Sequence, residues 1–150
     1  MKIRHVLLTT DLSEESTRPY APVQELAREL GARITLLHVV LDLQVTPHGA
    51  PFAPPLSAPN VGEEVDKAER VLAEQRERFG EGLEVDTVVV AAPDVAPAIC
   101  VWATEHSADL IATSTHGRTG WRHLAFGSVA EEVLRRSEVP VLSFHRPKDA

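Results

Sequence analysis

The feature that most restricts this chain is a strict alternation of short apolar runs with helical stripes. Residues 5–10 form a run of strand type, closed by Asp11, Leu12 and Ser13. Val23, Leu26, Ala27 and Leu30 then fall at i, i+3, i+4 and i+7, one face of a helix that Gly31 stops. Residues 33–40, RITLLHVV, are rich in branched side chains and lack strict alternation, which suits a strand covered on both faces. A second helix carries Val61, Val65, Ala68, Leu72 and Phe79 as its stripe, beneath a solvated surface of mixed charge. A strand at 83–91, a helix through Val95, Ile99, Trp102 and His106, and a strand at 109–113 follow. A helix over 129–136 and a last strand over 139–144 complete the series. Such alternation predicts parallel strands joined by right-handed crossovers, with helices on both faces. The expected fold is α/β, a doubly wound five-stranded parallel sheet in the order 3-2-1-4-5.

At 150 residues the chain suits a single domain over 1–150. Its 43% hydrophobic and 25% charged content is that of a soluble globular protein. The net charge of −7 argues against nucleic acid and anionic membrane as partners. Cys100 stands alone and no apolar run approaches the ~18 residues of a membrane helix, so a cytoplasmic protein is the expectation. Residues 46–60 hold five of the 11 prolines and read as a surface loop, a variable insertion ahead of a lid or partner segment.

In an open sheet of this order, ligands lie outside the carboxyl ends of the strands where the order reverses. The loops after the first and fourth strands meet there. The first offers Thr9, Thr10 and Asp11; the second begins at Ser114, Thr115, His116, Gly117 and Arg118 and ends at Gly127 and Ser128. No Asp or Glu occurs between Asp109 and Glu131, a stretch that contains Arg118, Arg122, His116 and His123. It also feeds a helix N-terminus, where unpaired N–H groups and the dipole favour negative charge. A phosphate-bearing ligand is the expectation. P-loop and kinase-type chemistry is disfavoured, because no G-x-x-x-x-G-K-[ST] is present and the lysines are Lys2, Lys67 and Lys148.

The segments 110–131 and 139–142, with Val6 to Ser13 and Leu37-His38-Val39, resemble the universal stress protein family nearly from end to end. That family's ATP-binding pattern is G-x2-G-x9-G-[ST]. Gly117, Gly127 and Ser128 match its last three positions, while Ser114 replaces the first glycine. The resemblance implies that Asp11 meets the ribose or a magnesium ion, and that Thr9 and Val39 flank the adenine. It implies that Ser114, Thr115, His116, Gly117, Arg118, Gly127, Ser128 and Val129 line the ribose and phosphates. It further implies an ATP-binding stress-response homodimer, paired through the last strand.

Other readings of the same residues stand beside it. Ser128 and Glu131 form a capping box, and Gly117 and Gly120 fit ordinary turns. No His pair has i, i+4 spacing, so a structural zinc site is not expected; His5 and His38 read as packed or hydrogen-bonded, and Trp102 as core. Asp11 has no partner carboxylate at fixed spacing and His116 no adjacent nucleophile, so nucleotide-dependent binding is favoured over turnover. The alternatives are a weak ATPase or nucleotidyl transferase, and a nucleotide-free dimeric interaction module. The downstream protein partner has no signature in the sequence.

Overall fold

The computed structural model describes residues 2–42, 60–115 and 128–145. Five parallel strands are β1 (His5–Thr9), β2 (Arg33–Leu41), β3 (Val85–Ala92), β4 (Leu110–Ser114) and β5 (Val141–Phe144). They lie in the order β3-β2-β1-β4-β5, as the alternation predicts. The helices are α1 (Tyr20–Leu30), α2 (Val61–Arg76), α3 (Val95–Glu105) and α4 (Ser128–Arg136). Single 3-10 turns at Glu15–Thr17 and Glu77–Phe79 were not apparent from periodicity.

Alternate residues of the strands serve opposite layers. Val6, Leu8, Ile34 and Leu36 join Tyr20, Val23, Leu72 and Phe79 in the core beneath α1 and α2. Leu7, Leu37 and Ile111 join Ile99, Ala103 and Val133 beneath α3 and α4. Burial on both faces removes the need for polar alternation, which is why the strands read as continuous apolar runs. β1 sits centrally, with Val6 opposite Ile34 on one side and Leu110 on the other.

Helix ends follow local chemistry. Gly31 takes φ +62°, its N–H bonds the carbonyls of Ala27 and Arg28, and Ala32 N–H reaches Ala27 O at 2.9 Å. That is a Schellman stop, which glycine enters without strain. Asn60 caps α2, accepting from Gly62 N at 3.2 Å.

Several expected boundaries and faces shift. The last strand starts at Val141 instead of 139, because Val139 bonds Ser137 Oγ through both its N–H (3.0 Å) and its carbonyl (2.6 Å). β3 begins at Val85, after a turn in which Gly80 and Gly82 hold positive φ. β1 ends at Thr9, β2 and β3 run one residue further than expected, and β4 is displaced by one residue to end at Ser114. On α1, Tyr20 is buried and Leu30 is 44% exposed, so the core-facing stripe lies one turn nearer the N-terminus than expected. Trp102 is only partly buried; it stacks on exposed His106 with ring centroids 4.0 Å apart.

Candidate functional site: the carboxyl-end crevice between β1 and β4

Chain direction away from the sheet reverses between β1 and β4, and their carboxyl ends lie side by side. Three hydroxyl residues form a row there. Thr9 Oγ1 donates to Thr113 Oγ1 at 3.0 Å, and Thr113 is in register with Ser143 of β5. Ser143 Oγ is buried and, among the described residues, has no hydrogen-bond partner. Ser114 closes β4 in register with Phe144 and is not among the residues with positive φ. Thr115 is buried, its N–H and Oγ1 both bonding Phe144 O at 3.1 and 3.2 Å.

The loop after β1 is shaped by its own side chains. Asp11 Oδ1 accepts from Ser13 N at 3.0 Å and Ser13 Oγ at 2.5 Å, an Asx turn. Leu12 is held at φ +67°, a region costly to a residue with a Cβ. Thr10 holds that turn: its Oγ1 accepts from Leu12 N at 3.0 Å, its N–H donates to Leu37 O at 3.0 Å, and its carbonyl accepts from His38 Nδ1 at 2.8 Å. The carbonyl can only accept, so His38 carries its proton on Nδ1. Behind Thr10 lie buried Ser16, Gln75 and Tyr20. Burial pushes the Tyr20 phenol above its usual range and keeps it a proton donor.

The expected site residues therefore fall into four groups. Thr9, Asp11, Ser114 and Thr115 occupy the neighbouring ends of β1 and β4. Val39 is buried in β2 beneath the α3 layer. Ser128 and Val129 open α4, both exposed. Ser128 is the first residue of α4. His116, Gly117, Arg118 and Gly127 lie outside the described residues, as do Gly120, Arg122, His123 and residues 46–59.

Periodicity missed Gln75 and Tyr20. The signal was available for Gln75: it stands three after Leu72 and four before Phe79, a polar residue on an apolar stripe. Among the described residues, no group of three His, Cys, Asp or Glu converges as a metal site would require, and no helix is long and apolar enough to cross a membrane.

Comparison with known proteins agrees with this architecture. Residues 2–145 match the model of the universal stress protein family. Universal stress protein Slr1230 of Synechocystis is 34% identical over 104 residues, covering 69% of this chain and 32% of that protein. This chain thus aligns with about a third of that relative's length. Universal stress protein MJ0531 of Methanocaldococcus jannaschii is 28% identical over 148 residues, covering 97% and 84%. Among solved structures, a universal stress protein in complex with cAMP superposes with TM-score 0.69 at 20% identity, covering 97% and 98% of the two chains. The Archaeoglobus fulgidus universal stress protein in complex with dAMP gives 0.66 at 20% identity, covering 95% and 98%. With the family match spanning nearly every residue, the chain belongs to the universal stress protein family.

Proposed function

We propose that this protein binds an adenine nucleotide, ATP with magnesium, in the crevice between β1 and β4, and acts as a homodimer through nucleotide-dependent binding and not through turnover. The observation that supports the reading is the reversal of chain direction at β1 and β4, which puts the loop after β1, with Asp11, and the end of β4, at Ser114 and Thr115, at the same end of the sheet. The nucleotides bound by the two structural neighbours support the ligand class. Ser143 Oγ supplies a fit test: a buried hydroxyl without a protein partner at the same end of the sheet is a group that a ligand or its water would satisfy.

Asp11 would meet the ribose or the magnesium ion, Thr9 and Val39 the adenine, and Ser114 and Thr115 the sugar. The amides at Ser128 and Val129 would face the phosphates with the positive end of the α4 dipole, and His116, Gly117, Arg118 and Gly127 complete the set. When bound, the nucleotide supplies charge that the helix terminus complements; the residues hold and orient it. Calorimetry with magnesium and ATP tests this directly. Binding to wild type, weakened at least tenfold in Asp11→Ala, is the expected result; a folded wild-type protein that takes up no adenine nucleotide overturns it.

For assembly, the support is the free edge of β5, where Leu142 is 36% exposed while Val141 packs into the α3 and α4 layer. Light scattering is expected to show a dimer that Leu142→Lys weakens. Native mass spectrometry separates the alternatives, since it reads co-purified nucleotide and copy number together. Rapid ADP formation abolished by Asp11→Ala would instead establish an enzyme.

A further inference from the structure

Gln75 is an anomaly in the core. It is 5% exposed, occupies a stripe position of α2 between Leu72 and Phe79, and brings an amide into surroundings that a leucine would fill at no polar cost. Its Oε1 receives two hydrogen bonds, from Tyr20 OH at 2.6 Å and from Thr10 Oγ1 at 3.2 Å. Both lone pairs of the oxygen are thereby used, one by α1 and one by the loop after β1. Thr10 Oγ1 also contacts Ser16 Oγ at 2.7 Å and accepts from Leu12 N. Leu12 is the residue at φ +67°, and it directly follows Asp11.

A left-handed leucine persists only where its surroundings over-determine it. Here the surroundings are the apolar core against which Leu12 packs and one buried threonine hydroxyl, which touches Ser16 and donates to Gln75 of α2, whose oxygen Tyr20 of α1 also bonds. We infer that Gln75 and Tyr20 are positioning residues for the candidate nucleotide site, acting through Thr10 to hold the Leu12 turn and with it the direction of the Asp11 carboxylate. The inference rests on the nucleotide reading for its effect on binding, but its effect on the loop is independent of any ligand. It assigns a role to a side chain whose place in the core makes no sense for packing alone.

The test uses Gln75→Met, which keeps the length and removes the oxygen, Gln75→Glu, which restores an acceptor, and Tyr20→Phe, which removes one donor. Leu72→Ala serves as a control that loosens the same helix without touching the network. Two readouts are taken well below each variant's melting temperature: amide exchange at Leu12 and Ser13, and magnesium-ATP affinity. Gln75→Met is expected to lose protection at Leu12 and about tenfold in affinity, a change of ~1.4 kcal/mol. Tyr20→Phe moves both in the same direction by less, Gln75→Glu recovers most of the loss, and Leu72→Ala lowers the melting temperature with both readouts kept. Wild-type protection at Leu12 in a folded Gln75→Met or Tyr20→Phe overturns the inference. If wild type binds no nucleotide, the functional reading fails on its own, and the exchange data still decide the positioning role.

Discussion

The two ends of the sheet handle polar groups in opposite ways. At the amino end Asp109, His5 and Arg33 find protein partners. Asp109 Oδ2 accepts from Arg4 N at 2.8 Å and His5 N at 3.0 Å, which binds the start of β1 to the start of β4 and holds the Asp109 carboxyl below its usual range. His5 is buried between Thr35 (2.9 Å) and Arg33 (3.0 Å), and Trp102 meets its ring edge-on. Arg33 can only donate, so His5 Nδ1 accepts and Nε2–H donates to Thr35. At the carboxyl end, by contrast, a hydroxyl stays buried without a partner among the described residues, and a leucine is held at positive φ. The amino end too holds a residue at positive φ, Ser107 at +54° ahead of β4, so what divides the two ends among the described residues is the unmet polarity at Ser143.

The contrast can be broken first at Asp109. Asp109→Ala leaves two backbone amides without their acceptor and is expected to cost about 2 kcal/mol in urea unfolding, with nucleotide affinity unchanged. A loss of affinity at constant stability would erase the division between the ends. Ser143→Ala sharpens it from the other side. Removing an unpartnered buried hydroxyl is expected to raise stability by about 1 kcal/mol and to weaken nucleotide binding; a destabilised alanine variant would mean the hydroxyl is already satisfied.

A third probe is acid. Burial, followed by the neighbouring Arg33 charge, lowers the His5 pKa from its ordinary 6.5. As pH falls from about 6.5 toward the lowered folded value, the unfolded chain takes up a proton that folded His5 refuses, so acidification removes stability across that window. His5→Gln should flatten the fall in unfolding free energy between pH 7 and pH 5 that wild type shows. An unchanged slope would mean that other groups set the acid response. The smallest expected effect belongs to Ser114→Gly. Ser114 is extended at the end of β4, where serine carries no backbone penalty. Glycine there is expected to leave melting temperature unaltered and ATP affinity within about tenfold. A larger gain in affinity would show the serine side chain intruding on the ligand.

The layers were legible in the sequence because burial on both faces forces unbroken apolar runs such as RITLLHVV. What escaped was decided by single side chains. Val139 looks like strand, but Ser137 captures its backbone groups. Trp102 sits on the stripe of α3, yet one side of it lines an open pocket with Arg33, Thr35 and Val88, so the core covers it only in part. Of the crevice, strand order located Thr9, Asp11, Ser114 and Thr115, because topology alone brings those ends together. Gln75 showed locally only as a polar residue on an apolar stripe, and Tyr20 not at all, because their partners lie across 65 and 55 residues of chain.

The central place of β1 also has a consequence in time. β1 is synthesised before both of its neighbours: β2 follows soon after, and β4 begins only at Leu110. At translation rates of ~5–20 residues per second, the stretch from Arg33 to Leu110 takes roughly 4–15 s to appear. For that interval the strand that later lies deepest in the molecule presents an open, apolar edge to any other nascent copy. Residues 1–109 hold 18 Asp and Glu against nine Lys and Arg, and like charge of that size opposes contact between growing copies until β4 arrives.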